Sequence, residues 1–213
     1  IAAHDPKHPL AARPPGQRTV GVCRHFTLLH VAMLRAQGVA ARARCGFGGH
    51  FEKGKYYDHW VTEYWNEAQR RWILVDPQVD ERQREVFGIT IDLMDVPRDQ
   101  FLVAGDAWQL CRAGKADPQD FGILDMHGLW FIASNVIRDV AAVNNHEMLP
   151  WDVWGGMTLV DKDIDLALID RLATLTHDPD ARFDELRAAY EVDPRLRVPA
   201  TVFNAVLNRA EAA

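Results

Sequence analysis

Cys23 stands at the head of an apolar run. In GVCRHFTLLHVAMLRAQG, residues 21–38, apolar side chains crowd the positions that follow it, and Gly38 closes the run as a helix C-terminal glycine does. A thiol attacks a carbonyl carbon only as thiolate, and free cysteine, with a pKa of about 8.5, is mostly protonated at neutral pH. A helix N-terminus, a neighbouring imidazolium and a group that takes up the proton each favour the anion. Residue order supplies the first of these to Cys23. The second has to come from elsewhere in the chain.

Outside that run the candidate bases are His50, His59, His127 and His146. Strand geometry selects His59. The segments HWVTEYW and RWILV are rich in aromatic and β-branched residues and are separated by NEAQR, which is the pattern of a hairpin. A turn symmetric about Glu67 and Ala68 sets His59 across from Asp76, Val61 across from Leu74 and Glu63 across from Trp72. Cross-strand Cβ atoms lie about 4.5–5.5 Å apart, within reach of an imidazole–carboxylate hydrogen bond. Asp76 would then fix the His59 tautomer and stabilise its cation, leaving the second ring nitrogen for a thiol. A slip of one residue in this register would send the two side chains to opposite faces. His50 is the rival base, but the flexible EKGK that follows marks it as a loop residue at a cleft rim. His25 and His30 share the helix with Cys23 and are expected to be packed or surface-facing.

The elements that must position these groups follow from the pattern. The helix spans 22–37 and reads as largely buried, a strand follows over 39–47, and the hairpin closes the α+β core. HDPKHPLAARPPGQR forms an irregular arm over 1–17. QVDERQREVF is charged and loop-like, and helices are predicted at 98–111, 129–144, 164–176, 183–191 and 200–210, with a tryptophan-bearing turn LPWDVWGG between. The expected organisation is thus an arm over 1–17, a catalytic core over 18–100 and a mainly helical extension over 101–213 packed on that core. Core and extension together are within the size of one continuous domain.

Three segments, GVCRHFTLLHVAMLRAQGVAAR, DHWVTEYW and RWILVDPQ, together resemble the core of the transglutaminase-like superfamily, relatives of papain-type cysteine peptidases. The resemblance covers residues 18–78. It implies a central helix packed on an antiparallel sheet, Cys23 as nucleophile, His59 as general base and acid, and Asp76 as the residue orienting the histidine. Gln78 departs from the pattern, since such domains often carry threonine there. The members include protein crosslinkers, peptidases, deglycosylating amidases, amide-forming enzymes and inactive relatives.

Acyl transfer also needs donors for the developing oxyanion. The Cys23 backbone N–H is one candidate and the Gln17 side chain, if the arm folds back, a second. Trp60, beside His59, is a substrate-binding candidate, although tryptophans in such a sheet more often build the core.

Composition narrows the partners. A net charge of −6 argues against a nucleic-acid backbone or an anionic membrane surface, both of which reward clustered Lys and Arg. An amide- or acyl-bearing small molecule or peptide is the expected partner. No run approaches the ~20 apolar residues of a membrane span, and the start lacks a signal peptide's apolar centre. The chain begins at Ile1 rather than Met, which predicts residues upstream. Three cysteines, an odd number without a CxxC pair, fit a reducing, cytoplasmic setting and argue against a thiolate zinc site. Cys23, His25 and His30 do not form a ligand set, because residues two apart on a helix diverge. No metal and no organic cofactor is required by thiol acyl transfer. The function expected is therefore transfer or hydrolysis at an amide or peptide bond through a thioester, with a catalytically inactive binding module as the alternative.

Overall fold

The computed structural model describes residues 12–18 and 20–213. The strands are β1 (Ala41–Gly48), β2 (Tyr56–Asn66), β3 (Arg71–Val75), β4 (Phe101–Val103), β5 (Phe121–Ile123), β6 (Met126–His127), β7 (Asp152–Val153), β8 (Thr201–Asn204) and β9 (Arg209–Ala212). The helices are α1 (Cys23–Ala36), α2 (Glu81–Phe87), α3 (Ala104–Arg112), α4 (Leu129–Val143), α5 (Leu166–His177) and α6 (Phe183–Val192). The fold is α+β. Its main sheet runs β4-β1-β2-β5-β6, with β3 also paired to β2, and β7-β8-β9 form a small second sheet. All pairings of the main sheet are antiparallel except β2 with β5.

The hairpin forms as its composition dictates, but its register differs from the symmetric one. Thr62 pairs with Val75, Glu63 with Leu74 and Trp65 with Trp72. The turn takes four residues, with Arg70 at positive φ and the Asn66 carboxamide accepting from the Gln69 N–H. An asparagine side chain that mimics a backbone turn accommodates this longer loop. The shift relative to expectation is two residues, and with a side-chain period of two each residue keeps its face.

Alternation then sorts the sheet. Ala41, Ala43, Cys45 and Trp60 point toward α1 and pack with Cys23, Val31 and Ala142. On the other face Val61, Leu74, Phe101 and Val103 meet Ile89, Leu93 and Val96 from the segment after β3. The largest core is built around α4, where Phe131, Ile132, Val136, Ile137 and Val140 pack with Phe47, Trp108, Phe121, Leu172 and Leu186.

Several expectations are corrected. Only Cys23, Thr27 and Val31 of α1 are buried, and Phe26, Leu29 and Met33 are exposed; the fully enclosed helix is α4, in which Phe131 and every residue after it are buried. The predicted helix at 98–111 begins as β4, because Phe101–Val103 adds to the free edge of β1 before α3 starts. The charged segment after Val79 is a helix, α2, capped by the Asp80 carboxylate on the Gln83 N–H. The expected last helix is the β8–β9 hairpin, whose first strand alternates exposed and buried residues and whose turn is held by the Asn204 side chain on the Val206 and Leu207 N–H groups. Through β4 and β5 the residues beyond 100 supply strands to the sheet that carries the β2–β3 hairpin. No helix among the described residues is long and apolar enough to cross a membrane.

Candidate active site

A gap in the sheet makes the site. On its outer edge β2 is covered by β3 from Thr62 to Asn66 and by β5 at Tyr56 and Tyr57, so residues 58–61 have no strand partner there. The N-terminal half of α1 closes the gap, and Thr27 Oγ1 donates to the Trp60 carbonyl at 3.0 Å, a bond a further strand would otherwise make. Cys23, the first residue of α1, is thereby brought to the level of His59. Side chains from both faces of β2 reach a groove at this point.

His59 donates from Nε2 to Asp76 Oδ2 at 2.8 Å, and the Cys23 side chain lies beside the ring on the groove wall. With Nε2 engaged by the carboxylate, Nδ1 is the nitrogen left for the sulfur. Burial works against the His59 cation, but the Asp76 charge, the hydrogen bond to it and the contact with Cys23 outweigh burial and raise the imidazole to about 10. Asp76 is fully enclosed, which alone would push its carboxyl up; the His59 charge, the His50 and His59 hydrogen bonds and the Gln78 N–H hold it well below the usual carboxylate range. Cys23 is 8% exposed, and its surface opens on the groove.

The groove has a volume of about 580 Å³. Val22, Phe51, Tyr57, Val86, Phe87 and Ile123 give it apolar walls, and Glu52, Asp58 and Gln78 its polar points beside Cys23 and His59. No Lys or Arg lines it among the described residues. Asp58 is buried with Oδ1 accepting from Asn135 Nδ2 at 2.7 Å, while Oδ2 has no partner among the described residues. Desolvation raises its carboxyl despite Arg138 and Asn135.

Of the residues singled out in the sequence, Cys23, His59 and Asp76 converge. Gln17 does not join them: it is exposed, at the end of a short 3-10 turn, and away from the groove lining. Trp60 is fully buried, with its ring in the core behind Cys23 rather than on the groove wall. A side chain that alternates to the α1 face of β2 packs under the helix, whatever the chemistry of its neighbour. His25 is exposed and accepts the Val22 N–H on Nδ1, and His30 lies against Thr62 Oγ1. His50 is not at a rim. Its ring is enclosed, with Nε2 3.2 Å from Asp76 Oδ2.

Sequence reasoning missed Asp58, the inward turn of His50 onto Asp76 and the groove-lining role of Gln78. The only available signal for Asp58 was its place next to His59, and alternation argued against both reaching one cavity; the unpaired edge of β2 is what allows it. The ligand atoms of His50, His59 and Asp76 lie within 4.8 Å of one another, the one set of described residues able to hold a metal ion. The short bonds among them already satisfy the carboxylate without one.

The sequence model of the transglutaminase-like superfamily matches residues 4–77. The match ends one residue beyond Asp76, so it contains all three converging residues. No curated protein and no solved structure matched the chain.

Proposed function

We propose, from the match of the transglutaminase-like superfamily model to residues 4–77, that the chain is a cysteine-dependent enzyme acting on an amide or related acyl group. The observation that carries this reading is Cys23 beside His59 on the wall of one groove, with His59 hydrogen-bonded to Asp76 behind it. The form that attacks is the Cys23 thiolate beside a protonated His59. Cys23 Sγ adds to the acyl carbon, and the carbonyl π electrons move onto oxygen. The Cys23 backbone N–H at the head of α1 faces that charge. As the tetrahedral centre collapses, the C–N bond breaks and His59 gives its proton to the departing nitrogen, leaving a thioester. Water or a second amine then attacks; His59 takes its proton, the C–S bond breaks, and Cys23 recovers its electron pair.

The groove walls suit an apolar acyl or side-chain group. Two carboxyl groups and no Lys or Arg among the lining residues favour a neutral or cationic substrate over a carboxylate. Gln78 lines the groove beside Cys23 and His59, and its side-chain amide N–H, not its buried acceptor Oε1, is the donor offered in place of Gln17.

A second reading, a binding module that keeps the groove without turnover, draws support from the low exposure of Cys23. Intact-mass measurement after incubation with a panel of amides, peptides and activated esters separates the two. An acyl adduct that maps to Cys23 and vanishes in Cys23→Ala is the result expected of the enzyme. No adduct from any donor, together with a thiol that resists iodoacetamide, would leave only the binding module.

A further inference from the structure

Asp76 serves two imidazoles. Besides His59, it receives His50 Nε2 on the same oxygen, Oδ2, at 3.2 Å, while Oδ1 accepts the Gln78 and Val79 N–H groups at 3.0 and 3.4 Å. On its other side His50 Nδ1 lies 3.2 Å from the Gln100 carbonyl, an oxygen that also accepts the Gly49 N–H. A carboxylate and a carbonyl are both acceptors only. Either neutral tautomer of His50 would press a nitrogen lone pair against an oxygen in one of the two contacts. The doubly protonated ring donates in both.

We propose that His50 is a positioning residue, held as an imidazolium between Asp76 and the Gln100 carbonyl, which tempers the grip of Asp76 on His59 by sharing its carboxylate. The environment fits a deliberate cation. The His50 side chain is 1% exposed and its ring lies against Phe51, with centroids 4.2 Å apart, so water does not supply the missing partner. A buried charge needs a counter-charge in hydrogen-bond contact, and Asp76 is that group. The other ionisable groups near the His50 ring are His59, with its ring edge-on at 5.9 Å, and Glu52, Lys53, Lys55, Tyr56 and Asp99, which line a second groove together with His50. The consequence rests on the reading of His59 as acid and base. A carboxylate devoted to one imidazolium holds its proton firmly; one divided between two releases it more readily to a leaving nitrogen.

The test reads ring nitrogens directly and needs no turnover. In protein labelled with 15N-histidine, long-range 1H–15N spectra at pH 7 are expected to show both His50 nitrogens protonated, the signal being assigned by its loss in His50→Gln. An unprotonated, pyridine-type nitrogen on His50 overturns the proposal. In His50→Gln, and further in His50→Phe, the His59 titration midpoint is expected to move up from about 10 by roughly half a unit or more; a midpoint that stays or falls also overturns it. Stoichiometric zinc in the purified protein, whose removal by chelator changes the His50 and His59 signals, would assign the cluster to a metal and sink the idea. An imidazolium at His50 in a protein that forms no acyl adduct would instead leave this inference standing and remove the proposed reaction.

Discussion

His59 and Asp76 are bonded at 2.8 Å although they are not cross-strand partners. The β2–β3 ladder ends with Thr62 beside Val75, so its continuation sets Asp76 level with Val61, two residues along β2 from His59. Because the offset is even, the two side chains share a face, and the imidazole reaches diagonally past the end of β3 to the carboxylate. Asp76 has left the ladder and is instead held by the Gln78 and Val79 N–H groups, which fix the carboxylate independently of strand pairing.

The three cysteines should differ sharply toward iodoacetamide. Cys45 is fully enclosed, and burial pushes its thiol well up; burial, with Asp117 and Asp120 nearby, raises Cys111 to about 11. At pH 7 peptide mapping is expected to find Cys23 labelled first, with its rate falling at least about tenfold in His59→Ala as the imidazolium partner is lost. Labelling of Cys111 ahead of Cys23 would contradict the assignment of the nucleophile.

A second consequence concerns pH. His59 is raised above its ordinary 6.5 to about 10 in the folded protein. A folded value above the unfolded one contributes stability that is complete below pH 6.5 and is lost as pH rises through about 10. Urea titrations between pH 7 and 10.5 should therefore show the parent losing stability across this window. In Asp76→Asn the main cause of the upward shift is gone, and the loss with rising pH should shrink or disappear.

The buried ion pair beneath the sheet predicts a large mutational effect. Arg44 is fully enclosed, donates to both Asp139 oxygens at 3.1 and 2.9 Å, to Glu63 at 3.0 Å and to the Thr176 carbonyl at 2.7 Å. Burial opposes its charge, and Asp139 and Glu63 more than restore it. Asp139 also accepts the Cys45 N–H at 2.9 Å, standing in for a strand on the edge of β1 that β4 leaves uncovered. Asp139→Ala is expected to cost about 3 kcal/mol, since it removes the bidentate one of the two counter-charges of a buried guanidinium. Replacing both partners, Arg44→Met with Asp139→Leu, should be less damaging than the single change in the same denaturation assay.

Gly46 is the point where β4 comes closest to β1. A Cβ there would lie 2.2 Å from the Leu102 carbonyl oxygen and 2.8 Å from Val103 Cα. Gly46 also faces His59 across the β1–β2 ladder. Gly46→Ala should destabilise by about 1–3 kcal/mol through forced displacement of β4. If thermal denaturation shows the variant within a few tenths of a kcal/mol of the parent, the close approach of these strands is wrong.

Much of this protein was written in local pattern. The start of α1 at Cys23, the hairpin of β2 and β3, the long apolar α4 and the convergence of Cys23, His59 and Asp76 are all readable from residue type and spacing, because helix and strand periodicity act over a few neighbours. So is the pairing of His59 with Asp76 on one face, which survives any even slip in register. What the tertiary structure alone decided lies at the boundaries between elements. Phe101–Val103 is a strand because β1 has a free edge to fill, and 201–212 is a hairpin because Asp152 and Val153 offer it one. Asp58 reaches the groove because β3 and β5 leave four residues of β2 uncovered. His50, followed by a glycine- and lysine-bearing loop that reads as exposed, turns inward because the Asp76 carboxylate and the Gln100 carbonyl are there to receive both its ring nitrogens. Such contacts join residues 26 to 77 positions apart, and no local periodicity records them.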